Sequence, residues 1–307
     1  MPEQLEQPTH LFRTATSLAK EQLGRLERLR AALKAGAKTY GVPTGFKTLD
    51  ACFNGLQAEK LYFLGGRPAG GKTSLALNIA NNVAKQGYPV VFVACDEGAR
   101  SLALKLACLE TNSRVADLNR GDDPTNVQTY IDTNPKSLIN ITFIENARVG
   151  MGELSEKMAE VLRDAPITEG YLRQGLLVVD YLQIMASAQA SLSDGGKYKN
   201  MANMVEGFIT DLRSVCIENQ FACLCISALS RGDGGGNYDD PQLSSFRESS
   251  SIEFSADGVM ALLDDKKRAI SNPMHARRLR ILKNRDGDTK EFPMLLNGAS
   301  SFMEETR

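Results

Sequence analysis

The chain has 307 residues, 42% hydrophobic and 24% charged, with a formal net charge of −1, the composition of an ordinary folded protein with room for one large α/β domain plus an appendage, or for two small domains. No apolar run is long enough to span a bilayer, and the near-neutral balance excludes a protein that coats nucleic acid with its whole surface, so any such site must be local. The six cysteines (52, 95, 108, 216, 223 and 225) contain no CxxC pair and are joined by only two histidines, His10 and His275, so metal-site spacing is absent and all six read as reduced structural residues.

In chain order, residues 1–10 (MPEQLEQPTH) hold two glutamates and no apolar core, which argues against a signal or transit peptide and makes the cytoplasm the expected compartment. The first eight residues are expected to be disordered. From His10 to Ala35, Leu11, Ala15, Leu18, Leu23, Leu26, Leu29 and Leu33 recur at helical steps among Arg and Lys, and Gly36 ends the pattern. This amphipathic helix must dock its one apolar stripe, either on its own domain or on a neighbouring subunit. The turn-rich Gly41-Val42-Pro43-Thr44-Gly45 opens the core. The expected organisation is a tail and helix over 1–37 and a single α/β domain over 38–307.

Leu61-Tyr62-Phe63-Leu64 reads as a buried strand, and Ser74 to Lys85, with Leu75, Ile79 and Val83, as a helix. Between them lies Gly66-Arg67-Pro68-Ala69-Gly70-Gly71-Lys72-Thr73, in which two glycines bracket four residues and a Lys-Thr pair follows. Glycines let the backbone curl so that successive N–H groups point inward, and the helix start adds positive potential. Residues 66–74, Ser74 included, are therefore a candidate nucleotide-phosphate cradle, with Lys72 reaching the terminal phosphates and the Thr73 hydroxyl taking a Mg²⁺ position.

Tyr88 to Ala94 reads as a second strand running into Asp96-Glu97. Acidic groups at the carboxyl end of a strand beside the phosphate-loop strand face the crevice of an open parallel sheet, so Glu97 is a candidate to activate water. The plain alternative is a carboxylate complementing the dipole of the helix 101–109. Residues 114–135 read as polar loop, 141–144 as a strand and 152–164 as a helix. Leu176 to Asp180 is an apolar run closed by an aspartate, where Asp180 would complete the Mg²⁺ shell with Thr73 and water.

Residues 186–201 (ASAQASLSDGGKYKNM) read as a small-residue loop carrying Lys197 and Lys199, followed by a helix to Asn219 and a strand over 221–227. Arg231 to Asn237 reads as a flexible tract; two such loops suit ligand contact, and equally describe any long surface loop. Gly258 to Leu263 is a further strand. The runs 278–283 and 291–296 flank Asn284-Arg285-Asp286-Gly287-Asp288, an Asp-Gly hairpin signal. The expected fold is a mostly parallel sheet with helices on both faces, extended by late antiparallel strands.

Gly66-Arg67-Pro68 with Gly71-Lys72-Thr73, Asp180-Tyr181-Leu182-Gln183, Arg247-Glu248-Ser249-Ser250-Ser251-Ile252-Glu253 followed by Ala256-Asp257, and Lys283-Asn284-Arg285 together resemble, in order and spacing, the RecA-like motor domain of DnaB-type replicative DNA helicases. The resemblance covers about residues 38–305 and sets the helix 10–35 where that family has its linker. It implies a RecA-like ATPase using ATP and Mg²⁺, with Glu97 as catalytic glutamate and Asp180 as the second-motif aspartate. It further implies that Arg285 is an arginine finger entering a neighbouring subunit's site, with Lys283 beside it. Arg247, Glu248 and Ser250 would grip the backbone of single-stranded DNA inside a hexameric ring, contacts that do not read sequence. Arg247 pairing with Glu248 or Glu253, and Lys283 as a solvated strand residue, are the structural alternatives.

Two departures stand out. The family's Ser-Gln-Leu-x-Arg segment reads Ser227-Ala228-Leu229-Ser230-Arg231 here, so Ala228 replaces the glutamine that senses the γ-phosphate, and Ser250 replaces a glycine. About forty residues precede the core, too few for the family's amino-terminal collar, so a shortened phage or mobile-element helicase, or reliance on a separate primase or loader, is expected. The expected function is unwinding of duplex DNA in replication, 5′ to 3′. The alternative is a RecA-like ATPase that clamps single strands, or loads a partner, without unwinding.

Overall fold

The computed structural model describes residues 14–34, 36, 39–165, 173–192, 200–229, 238, 240–247, 249–268, 270, 271 and 273–306. They fall into two units. The first is represented by α1 (Ala15–Lys34), whose Leu18, Leu23, Leu26 and Leu33 are each more than two-fifths exposed. Residues 1–13, including the expected disordered tail and Leu11, lie outside the described residues.

The second unit runs α2 (Lys47–Phe53), β1 (Leu61–Gly66), α3 (Lys72–Lys85), β2 (Val90–Ala94), α4 (Ala99–Thr111), α5 (Val115–Leu118), α6 (Thr125–Asp132), α7 (Lys136–Ile139), β3 (Ile141–Ile144), α8 (Met151–Asp164), β4 (Gly175–Asp180), α9 (Leu182–Leu192), α10 (Met201–Asn219) and β5 (Phe221–Ile226). A single 3-10 turn and α11 (Ser249–Ser255) then lead into β6 (Gly258–Asp264), β7 (Met274–Asn284), β8 (Glu291–Asn297) and β9 (Met303–Glu305).

The strands form one sheet in the order β3-β2-β4-β5-β1-β6-β7-β8-β9, parallel from β3 to β6 and antiparallel beyond. The parallel strands are near-continuous apolar runs because both faces are covered. Tyr62, Leu64, Phe92 and Val178 pack with α3 and α4 on one face, while Leu61, Phe63, Val91, Val179, Cys223 and Cys225 pack with α8, α9 and α10 on the other. The sheet and its two helical layers match the sequence expectation.

Two expectations of loop are corrected. Residues 182–192 form α9 and Met201 already begins α10; Ala and Ser in 186–192 are small enough to pack closely, and nothing in that run breaks a helix. Only 193–199, with Lys197 and Lys199, fall outside the described residues. Within 114–135, α5 and α6 form where Val115 and Leu118 of α5 and Val127 of α6 pack in one cluster with Ala107 and Cys108 of α4. The tract 231–237 also lies outside the described residues. All six cysteines are free thiols, and no described helix is long and apolar enough to cross a membrane.

Candidate functional site

A cleft of about 1050 Å³ opens at the carboxyl ends of the parallel strands, where residues 66–74 meet Asp96, Glu97, Asp180, Ala228 and Arg247. Sheet topology explains the meeting: β1, β2, β4 and β5 run in one direction, so the segments leaving them share one edge.

The loop between β1 and α3 has no room for larger residues at its ends. A Cβ on Gly66 would stand 2.8 Å from the Leu262 carbonyl oxygen, and one on Gly71, where φ is +98°, 2.8 Å from a Leu296 methyl. Helix α3 begins at Lys72, so its first-turn N–H groups, which have no partner within the helix, face the cleft. The Lys72 ammonium donates to the carbonyls of Gly66 (3.1 Å) and Arg67 (2.9 Å). Burial lowers its pKa, while the charges of Asp180 and Asp96 work the other way.

The Thr73 hydroxyl donates to Asp180 Oδ2 over 2.8 Å. Asp180 is 2% exposed. Burial pushes its carboxyl up to about 6; the Thr73 bond opposes that shift and Asp96 adds to it. The backbone N–H groups of Cys95 and Asp96 donate to the Asp180 carbonyl at 2.7 and 3.2 Å, locking the ends of β2 and β4 together. Burial, with Asp180 and Asp96 nearby, pushes the Cys95 thiol up to about 12, so it stays protonated. One hydroxyl and one carboxylate, with a second carboxylate close by, are hard oxygen donors that suit a small divalent cation keeping several waters. Among the described residues there is no group of three or more His, Cys, Asp or Glu that could hold a metal ion.

Glu97 lies in the cleft wall, its carboxylate accepting from the Ser101 hydroxyl and paired with Lys105 at 2.6 Å. A brace that sequence reading missed spans the loop. Asp264, at the end of β6, pairs with Arg67 (2.6 Å) and with Arg277 of β7 (2.9 Å), and Arg277 Nε donates to the Gly70 carbonyl at 3.1 Å. Its only sequence signal is a cationic position in a strand whose neighbours, Ala276 and Leu279, are buried.

Of the residues singled out by sequence, 66–74, Glu97, Asp180 and Arg247 come together in the cleft. Ser250 is exposed on α11, and Glu248 lies outside the described residues. Arg285 and Lys283 stand at the other end of the sheet. Gly258 of β6 pairs with Asn284 while Leu262 pairs with Gly66, so roughly 15 Å of strand, at about 3.3 Å per residue, separates Arg285 from the chain's own phosphate loop. The Arg285 guanidinium pairs with Asp257 at 3.0 Å, and Lys283 Nζ donates to the Glu253 carbonyl.

Most of the chain is similar to known proteins. The sequence model of the DnaB-like helicase C terminal domain matches residues 41–304. The replicative DNA helicase DnaC of Bacillus subtilis (strain 168) is 30% identical over 228 residues, 73% of this chain and 47% of that protein. The replicative DNA helicase DnaB of Geobacillus stearothermophilus is 28% identical over 251 residues, 80% of this chain and 52% of that protein. The chain thus spans about half the length of these relatives. Among solved structures, an isolated ATPase domain superposes with a TM-score of 0.77 at 20% identity, covering 96% of this chain and all of that one. A structure of a DnaB-like replicative helicase and its interactions with primase gives 0.75 at 21% identity, covering 97% of this chain and 69% of that one. With the match running from the first turn of the core into its last strand, the chain belongs to the DnaB-like helicase C-terminal domain family.

Proposed function

We propose that this chain is the motor of an ATP-dependent DNA helicase, working as a hexameric ring on single-stranded DNA in replication. The carrying observation is the split of charge across the sheet: Lys72, Thr73 and Asp180 stand at one end and Arg285 at the other. An arginine that cannot reach its own phosphate loop suits a site completed by the next subunit.

In this reading ATP binds in the cleft beside a Mg²⁺ ion, which would supply positive charge to the phosphates during phosphoryl transfer. Lys72 exchanges its contacts with the Gly66 and Arg67 carbonyls for phosphate oxygens. Thr73 and Asp180 hold the cation's shell. Glu97 leaves Lys105 and orients the attacking water, and Arg285 of the neighbour meets the charge on the transferring group. Arg247 holds a DNA phosphate through its side chain and Glu248 and Ser250 through backbone N–H groups, and the six-fold repeat of Arg247 supplies a local basic track despite the net charge of −1. The apolar stripe of α1 suits docking of that helix on an adjacent copy. A separate primase or loader is a fitting partner, and the cytoplasm the fitting compartment.

Unwinding of a forked duplex with a free 5′ tail, with Lys72→Ala as control, tests the proposal. Strand separation that needs ATP and is lost in the control supports it. Nucleotide-dependent binding to the tail without strand separation would leave the clamp or loader, a reading favoured by the methyl group of Ala228 where a polar sensor is expected.

A further inference from the structure

Asp257 is a carboxylate 5% exposed, at the entrance to β6, that serves three elements at once. Oδ2 accepts from the Leu61 N–H of β1 at 3.0 Å and from Arg213 of α10 at 2.8 Å. Oδ1 accepts from Arg285 at 3.0 Å, and the Arg285 N–H donates to the Asp257 carbonyl at 2.9 Å. The second terminal nitrogen of Arg285 donates to the Phe254 carbonyl at 3.3 Å.

These contacts differ in kind. Arg213 also donates to the carbonyls of Glu59 and Ser255, so it ties α10 to the sheet and gives the buried charge a partner within the fold. Arg285, by contrast, has a side chain 49% exposed, just past the end of β7. An exposed arginine carries about 2 kcal/mol of rotamer entropy. Holding both terminal nitrogens, one on Asp257 and one on the Phe254 carbonyl, removes much of that freedom while half of the side chain stays exposed.

We infer that Asp257 is a positioning residue for Arg285, holding the guanidinium in the orientation in which it meets the nucleotide of a neighbouring subunit. The inference rests on Arg285 acting as an arginine finger. Since misplacing a catalytic group by about 1 Å can cost roughly 100-fold, the hold on Arg285 should appear in turnover and not in nucleotide binding.

The test is DNA-stimulated ATP hydrolysis by the full chain in four forms: unmodified, Asp257→Asn, Arg285→Ala and the double variant. Asp257→Asn should lower kcat about 100-fold with KM for ATP unchanged, and the double variant should be no slower than Arg285→Ala, because the two act as one unit. A kcat within about threefold of the unmodified chain, or losses that multiply in the double variant, would overturn the inference. Should Arg285→Ala itself keep full turnover, the finger reading falls, and that is read from the single variant alone. If Asp257→Asn does not fold, Asp257→Glu keeps the charge beside Arg213 while moving the carboxylate by one methylene, and the same cycle applies.

Discussion

The Thr73 hydroxyl and the Asp180 carboxylate, 107 residues apart in sequence, meet over 2.8 Å at the point where β4 ends and α3 begins. That bond holds a buried acid whose pKa is raised to about 6, so without a cation the site stores an unfavourable charge.

Its consequence for stability has a definite sign. Folded Asp180 binds its proton more tightly than the unfolded chain, whose value is near 3.8. The stabilising proton is therefore fully present below about pH 4 and is lost as pH rises through about 6, a change of about 3 kcal/mol. In EDTA, urea denaturation between about pH 4.5 and 7.5 should show this loss in the unmodified chain and not in Asp180→Asn. Adding Mg²⁺ at the upper end of that range should raise the melting temperature of the unmodified chain alone. Equal Mg²⁺ responses would remove Asp180 from the cation site.

The Asp264 brace predicts a separation of folding from binding. Arg277→Ala leaves Asp264 with Arg67 alone and frees the Gly70 carbonyl, which should cost about 3 kcal/mol. Arg277→Lys keeps the charge but cannot serve Asp264 and Gly70 together. It should lose less stability yet raise KM for ATP about tenfold, the equivalent of one lost hydrogen bond of about 1.4 kcal/mol. Urea titrations beside steady-state kinetics distinguish the two; an unchanged KM in both variants would mean the brace does not shape the loop.

Sequence was legible where a function is written in contiguous residues. The strand, glycine loop and helix around Lys72 are one local pattern, and Asp180 closes an apolar run, so both were readable in order. The brace was not, because Arg277 and Gly70 are brought together only by the placement of β7 beside β6, which in turn pairs with β1. Lys105 escaped for a related reason: its partnership with Glu97 depends on the angle at which α4 leaves β2. Helix α9 was misread because Ala and Ser suit a packed helix as well as a loop, and α2 was passed over within a turn-rich stretch. The placement of Arg285 at the far edge came from register, which residue spacing alone does not give.

Arg247 gives a prediction about salt. Its backbone N–H donates to the Ala228 carbonyl at 3.0 Å, fixing the start of its segment while the side chain stays exposed. If that side chain holds a DNA phosphate, Arg247→Ala should weaken binding to oligo-dT and to mixed sequence alike. The slope of log affinity against log salt should then fall by about 1 for each phosphate that is no longer held. Fluorescence anisotropy across a salt series measures both; a loss confined to one sequence would mean the residue reads bases.

Ala228 sits where cleft and Arg247 segment touch. Its carbonyl accepts from Arg247 and its N–H donates to Gln183 Oε1 at 3.3 Å, with Gln183 also donating to the Ser227 hydroxyl at 3.0 Å. The backbone link between the nucleotide cleft and the Arg247 segment is thus intact, and what residue 228 lacks is a side chain able to register a phosphate. Ala228 is only half-buried and lines the open cleft, so a glutamine can extend into it without displacing the core. Ala228→Gln should therefore leave nucleotide affinity within about twofold and raise the stimulation of hydrolysis by single-stranded DNA several-fold, about 1 kcal/mol for one added hydrogen bond. Measured with and without DNA, a rise in both rates together would show a change in the chemistry alone. Two unchanged rates would show that coupling in this chain does not need a side chain at 228 and runs through the Ala228 backbone and Gln183.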